Sequence, residues 1–108
     1  MVLKIDTTIH KEVKVELVDN KSGLKDKLIQ KQKLGSQVLL PMIVKILKKN
    51  NLTLKDLTAV EVNCGPGSFT GTRVGVSVAN ALGFALDIPV NAKKGKIVVP
   101  IYEKSKFD

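Results

Sequence analysis

The sequence predicts a single α/β domain in which a mixed sheet of about five strands carries two main helices. Three patterns favour this fold class. Apolar and polar residues alternate in the first third of the chain, lysines recur at helical spacing near its middle, and a glycine-rich turn at residues 65–75 joins a short apolar run to an uncharged helical stretch. With 108 residues there is room for one domain with a modest core.

The opening segments predict three antiparallel strands. Val2 to Asp6 is short and apolar, which is typical of a central strand. Glu12 to Leu17 alternates polar and apolar residues and therefore predicts a half-exposed strand with every second side chain in the core. Leu24 to Lys33 is rich in lysine, and such charge is tolerated best on an edge strand, where it also discourages edge-to-edge association.

The first helix is predicted between Ser36 and Asn50. Its lysines mark one wet side, while the apolar residues cover an arc of about 200° at 100° per residue. An arc of that width exceeds what packing on one sheet requires, and the excess favours a second contact. Asn50 and Asn51 end the helix, because asparagine tolerates the left-handed conformation common at such ends.

The second helix follows a glycine-rich turn. The short run from Ala59 to Cys64 predicts the strand before it, and Val74 to Leu86 contains no charged residue. Small residues recur every fourth position and permit close approach of another helix or of the sheet, so the stripe packs either inside this domain or against a partner helix. The residues of the stripe are Gly71, Gly75, Ala79 and Gly83. Ile88 to Val90 would form the last strand.

The run Gly65-Pro66-Gly67-Ser68-Phe69-Thr70-Gly71-Thr72-Arg73-Val74-Gly75 resembles the signature of the bacterial TsaB (YeaZ) proteins. The similarity extends to residues 5–8, 36–41, 52–57 and 85–90, and so covers roughly residues 1–91. It implies a ribonuclease-H-like fold of the actin-like ATPase superfamily. Residues 1–91 would form the N-terminal one of two similar lobes, and residues 92–108 a linker and a short tail similar to the end of full-length members.

The same resemblance implies a function. TsaB proteins are non-catalytic partners of the TsaD enzyme in the threonylcarbamoyl modification of the adenosine next to the anticodon of tRNA, and they often form homodimers when alone. We therefore expect a TsaD-type partner, contact with tRNA only through the complex, and no catalysis by this chain. The expected interface lies on the two helices and comprises Leu40, Ile43, Val44, Leu47, Gly71, Arg73, Gly75, Val76, Ala79 and Gly83.

A small nucleotide-binding, ATPase-like domain is the first alternative. In the actin-like superfamily the turn equivalent to Asp6-Thr7-Thr8 handles nucleotide phosphate, although such a turn also forms by side chains bonding the local backbone. The glycine loop lacks the lysine of a phosphate-binding P-loop, so the charge that would meet a terminal phosphate is missing. We expect no cofactor of its own, and weak ATP binding at most.

A basic RNA-binding module is the second alternative. It rests on the net charge of +8, from 18 lysines and arginines against 10 acidic residues. Lysines scattered over strands and helix ends are more often a solvated surface, and an aromatic content of 4% offers no platform for stacking bases. His10 is the one histidine and Cys64 the one cysteine, so no metal site is expected.

The sequence predicts a cytoplasmic protein. Cys64 cannot form an internal disulfide, and no charged and then apolar leader precedes the first strand. The longest apolar segment, Val74 to Leu86, is too short to span a bilayer and is interrupted by polar residues. No membrane anchor is therefore expected.

Overall fold

A computed structural model describes residues 1–9, 11–31, 38–67 and 69–101. Ser36 and Ser68, two residues at the predicted helix starts, and His10 lie outside these ranges. The elements are β1 (Val2–Asp6), β2 (Glu12–Asp19), β3 (Leu24–Lys31), α1 (Leu39–Lys49), a single 3-10 turn (Leu54–Asp56), β4 (Ala59–Val62) and α2 (Phe69–Leu86).

The described strands form one mixed sheet in the order β3-β2-β1-β4. β1 is central: Leu3 lies opposite Leu17 of antiparallel β2 on one side and opposite Val60 of parallel β4 on the other. The lysine-rich β3 occupies the edge, as its charge predicts. The α/β class, the mixed sheet and the two main helices are thereby confirmed.

The predicted fifth strand is reduced to one bridge, in which Val90 pairs with Val60 of β4. The backbone N–H of Val60 donates to Pro89 O at 3.0 Å, and Asn91 N donates back to Val60 O at 2.9 Å. Beyond this point the Asn91 side chain replaces the backbone, with bonds of 2.8 and 3.0 Å to the N–H and C=O of Val62. The strand is short because Pro89 has no N–H and the chain turns at Asn91 and Ala92, both at positive φ.

The core lies on one face of the sheet, where both helices pack. α1 lies over β2 and β3, while α2 lies over β4 and β1, so the helices are neighbours on the same face. Leu57, in the segment that leads from α1 to β4, joins the same core. The strand residues buried beneath the helices are Leu3, Ile5, Val13, Val15, Leu17, Val60 and Val62.

The opposite face of the sheet, which we call the open face, carries charges of alternating sign. Register places Lys27, Glu16, Lys4 and Glu61 in one row across the four strands. Lys4 pairs with Glu61 at 3.5 Å, and both side chains are about half exposed. Exposed pairs of this kind add roughly 0–1 kcal/mol each, so the row keeps the open face soluble rather than binding the sheet together.

Candidate functional site

The turn after β1 is closed by its own side chains. The Asp6 carboxylate accepts from Thr8 N at 2.9 Å and from Thr8 Oγ1 at 2.7 Å, and Asn63 Nδ2 donates to its other oxygen at 3.3 Å. Burial by itself would raise the pKa of Asp6, but these bonds and the charge of Lys14 outweigh it and hold the pKa below its ordinary value. Asp6 is thus a carboxylate that organises the turn.

Thr7 joins this turn to α2. Its side chain is buried, and its hydroxyl donates to the carbonyl oxygen of Gly71 in the first turn of the helix. One turn later Gly75 lies so close that an added Cβ would overlap Thr7 Oγ1. In the loop before the helix, a Cβ on Gly67 would lie 2.6 Å from Thr8 Cβ. The glycines of the signature are therefore needed because the turn and the helix are in direct contact.

The predicted phosphate site comprises Asp6, Thr7 and Thr8, and both threonine hydroxyls already have hydrogen-bond partners within the chain. Thr7 donates to Gly71 O and Thr8 donates to Asp6, so each proton is already used within the chain. The nearby carboxylate would also repel a phosphate. Nucleotide binding stays a prediction, and this geometry gives it no added support.

The small-residue stripe of α2 faces the interior of this domain. Of the two predicted roles, packing inside the domain and contact with a partner helix, the structure therefore favours the first. Ala79 is fully buried, and a Cβ on Gly83 would overlap the Val90 side chain and lie 3.2 Å from Ile88 O. Gly75 meets Thr7 in the same way. The stripe brings α2 close to the β1 turn and to the segment after the helix. Gly75, Ala79 and Gly83 therefore pack inside the domain, whereas a partner contact would require them to lie on the surface.

The predicted partner interface also needs correction at its large apolar side chains, several of which are buried. Ile43 and Leu47 of α1 are 1% and 2% exposed, and Val76 of α2 is 3% exposed. They lie in the core because the sheet and the segment containing Leu57 cover more of the helices than a single flat contact would. Leu40 and Val44 are the predicted α1 residues that remain accessible, at 51% and 42%.

What remains outside is an accessible side on each of the two helices. On α2 an open depression of about 420 Å³ follows one side of the helix. Val74 and Val78, four residues apart, give it two partly buried apolar side chains, and Arg73 gives it a cation. Such a surface can pack against an apolar helix of another protein. We define the helix surface as Leu40 and Val44 of α1 with Thr70, Arg73, Val74, Ser77 and Val78 of α2.

Asparagines at three positions hold the backbone together, and the sequence-based analysis did not single them out. Asn63 ties the glycine loop to the β1 turn, with its oxygen 3.0 Å from Gly65 N. Asn91 extends the edge of β4, and Asn80 binds the backbone of Val98. The one available indication was position: Asn63 directly follows a strand and Asn80 interrupts an apolar helix.

Residues 1–9, 11–31, 38–67 and 69–101 contain no group of three His, Cys, Asp or Glu side chains placed to hold a metal ion. Neither helix in this part of the chain is long and apolar enough to cross a membrane.

Comparison with known proteins gives a consistent family. The model described as TsaD: tRNA N6-adenosine threonylcarbamoyltransferase matches residues 27–92. The tRNA threonylcarbamoyladenosine biosynthesis protein TsaB of Bacillus subtilis is 31% identical over 91 residues, which are 84% of this chain and 39% of that protein. TsaB of Haemophilus influenzae is 44% identical over 59 residues, or 55% of this chain and 25% of the relative.

A solved structure extends the agreement to the fold. YeaZ from Pseudomonas aeruginosa superposes with a TM-score of 0.77 at 28% identity, covering 94% of this chain and 44% of that protein. The chain thus spans less than half the length of these relatives. Taken with the matched model, the chain belongs to the family that this model describes and, within it, to the TsaB (YeaZ) proteins.

Proposed function

We propose that this chain is a non-catalytic partner of a TsaD-type enzyme in the threonylcarbamoyladenosine modification of tRNA. Membership of the TsaB family carries the proposal, since the matched relatives are named for that biosynthesis. The helix surface supplies the physical means. Contact with tRNA is expected only through the complex, and the cytoplasm is the expected compartment.

The non-catalytic role is supported by how the polar side chains of the signature region are used. Asp6 accepts hydrogen bonds from Thr8 and Asn63, and Thr7 donates to Gly71. Each of these contacts orders the backbone around the glycine loop. A region whose acid and hydroxyls are satisfied in this way is suited to holding two helices in place for a partner.

The helix surface suits a helical partner because its apolar residues lie along helix faces. Leu40 and Val44 are four residues apart on α1 and project from the same side. Burying one such side chain completely contributes about 1.5–3 kcal/mol, so a few of them suffice for a specific complex. When the enzyme is absent, the same surface is expected to pair two copies of this chain, and the two contacts should compete.

Val44→Asp tests the proposal at the centre of the exposed α1 face. A buried, unpaired carboxylate in the contact should weaken the complex with the TsaD-type protein of the same organism at least tenfold, about 1.4 kcal/mol. The melting temperature should stay within about 2 °C, because surface substitutions are usually worth less than about 0.5 kcal/mol. Isothermal titration calorimetry and a thermal melt provide the two readouts.

Ile29→Asp is the matched control. Ile29 is 50% exposed, against 42% for Val44, and it lies on the open face of the sheet. The control should bind the enzyme as the parent does. Equal binding by both variants, or equal weakening, would show that the helix surface is not the contact.

A further inference from the structure

The segment Ile97–Ile101 lies in a groove beside α2 and is held there by its backbone. The Asn80 side chain donates from Nδ2 to Val98 O at 2.9 Å and accepts from Val98 N at 3.0 Å. At the other end Ile101 N donates to the carbonyl oxygen of Cys64. A side-chain amide that bonds both backbone groups of one residue imitates the edge of a strand, so the groove binds an extended chain.

The groove partly buries one apolar side chain of the segment, that of Val98, and leaves its neighbours exposed. Ile97, Val99 and Ile101 are 79%, 68% and 55% exposed, although all three are apolar. At Gly65 an added Cβ would overlap Ile101 O, so the glycine itself makes room for the bound backbone. Nothing in these contacts requires the segment and the groove to belong to the same copy of the chain.

The turn that returns the segment to its own groove is unfavourable for one of its two residues, Ala92. Val90 and Lys93 exchange backbone hydrogen bonds of 3.3 and 3.0 Å across Asn91 and Ala92. Both turn residues have positive φ, 50° for Asn91 and 65° for Ala92. Alanine rarely adopts this left-handed conformation because its Cβ approaches the following carbonyl oxygen. An extended hinge would release it.

We propose that residues 97–101 exchange between two copies of this chain, so that each groove holds the segment of the other copy. The exchange is reciprocal and closes into a two-fold dimer without open ends. Exposed apolar residues near the hinge fit this arrangement: Phe84 is 91% exposed and lines, with Ile97, an open cavity of about 380 Å³. The hinge of the second copy would pass beside this cavity and cover both side chains.

At 100° per residue Asn80 lies about 20° around α2 from Arg73 but about 120° from Val74 and about 160° from Val78, so the groove adjoins the polar edge of the helix surface and lies away from its valines. The exchanged segment therefore leaves Val74 and Val78 accessible. Tail exchange is compatible with binding of a partner at these valines, whereas pairing of two copies through them is not. The inference goes beyond the proposed function and does not depend on it.

The test uses the full chain carrying Val44→Asp, which removes pairing through the helix surface. Sedimentation equilibrium measures the dimer dissociation constant of this parent and of two hinge variants. Ala92→Gly relieves the turn and should weaken the dimer about tenfold, since both hinges of a dimer change. Ala92→Pro cannot adopt φ of +65° and should strengthen the dimer by at least the same factor.

Lys11→Gly is the control, because Lys11 also has positive φ, at 62°, and lies between β1 and β2, outside both the hinge and the segment. It should leave the dissociation constant unchanged. Opposite shifts for the two Ala92 variants support the exchange. The proposal is overturned if all variants are monomers, if both Ala92 variants shift the dissociation constant in the same direction, or if neither shifts it. If Ala92→Pro does not fold, the result for Ala92→Gly decides alone: a weaker dimer supports the exchange and an unchanged dimer overturns it. Whether the Val44→Asp chain still binds the TsaD-type enzyme tests the proposed function and not the exchange.

Discussion

The two helices have similar apolar arcs in the sequence but use them differently in the structure. α1 presents large side chains, and the sheet covers Ile43 while Leu40 and Val44 stay accessible. α2 presents small residues, and these approach the backbone and side chains of the domain itself, with Ala79 fully buried. The width of an apolar arc therefore does not show where a helix makes its second contact. Side-chain size does, because small residues shorten the distance to the nearest layer.

The difference assigns separate tasks to the helices. The stripe of α2 fixes the helix against the β1 turn, through the bond from Thr7 to Gly71, and against Val90 after the helix. α1 keeps exposed apolar side chains that its own domain does not need. We therefore expect changes in the stripe to act on folding, and changes in Leu40 or Val44 to act on association.

Ala79→Leu should have the largest effect on stability. Three added carbons in a fully buried position force neighbouring side chains and backbone to move, which costs about 3 kcal/mol at the upper end of typical overpacking. Chemical denaturation of the purified chain measures the change. Any loss of partner binding should follow the loss of folded protein.

Ala81→Leu makes the same substitution two residues away, at an exposed position of α2. It should change the free energy of unfolding by less than about 0.5 kcal/mol. If Ala79→Leu melted like this control but bound the partner tenfold less tightly, the stripe would face a partner after all, and the contrast between the helices would fail.

Gly75→Ala should have a smaller effect whose sign depends on a neighbour. The added Cβ meets Thr7 Oγ1, so we expect a loss of about 2 kcal/mol in the otherwise unchanged chain. With Thr7→Ala the oxygen is gone, and the nearest remaining Thr7 atom is Cβ, at 3.4 Å. In that background the same change should be neutral or stabilise by up to about 1 kcal/mol, because alanine favours a helix over glycine.

A double-mutant cycle followed by urea unfolding measures this coupling. A coupling free energy of about 2 kcal/mol or more between Gly75→Ala and Thr7→Ala would confirm the close contact between α2 and the β1 turn. Additive effects would mean that Gly75 is needed for some other reason.

The regular elements were predictable from sequence because each has a local period. Alternation in β2 and helical spacing in α1 depend on neighbours within a few residues, and charge placed β3 at the edge. The inward direction of the α2 stripe was not predictable, since the sequence period defines a face without saying what lies opposite.

The long-range contacts of the site could not be derived from local patterns. Asn80 bonds Val98 across 18 positions of sequence, and Asn91 bonds Val62 across 29. An isolated asparagine predicts a turn or a cap; Asn91 does lie in a turn, but its bond to Val62 and that of Asn80 to Val98 have no local signal. The resemblance to a family identified the glycine loop and Asp6-Thr7-Thr8 as separate motifs, and only the structure shows that they are in contact and that their polar groups satisfy one another.

Asp6→Asn should have the smallest effect and tests the turn on which α2 rests. Because the folded pKa of Asp6 lies below its ordinary value, the ionised carboxylate stabilises the fold above that ordinary value, and the contribution is lost as pH falls through the folded pKa. The asparagine variant lacks the charge-assisted bonds to Thr8 and should be about 1 kcal/mol less stable at pH 7. Urea unfolding should show that the difference in free energy of unfolding between the parent and Asp6→Asn is smaller at pH 3 than at pH 7.

Asp87→Asn, in an exposed ion pair with Lys94 at 3.5 Å, should change stability by less than about 0.5 kcal/mol at either pH. A difference for Asp6→Asn that stays constant with pH would mean that the shape of the turn, and not the charge of Asp6, stabilises the contact between β1 and α2.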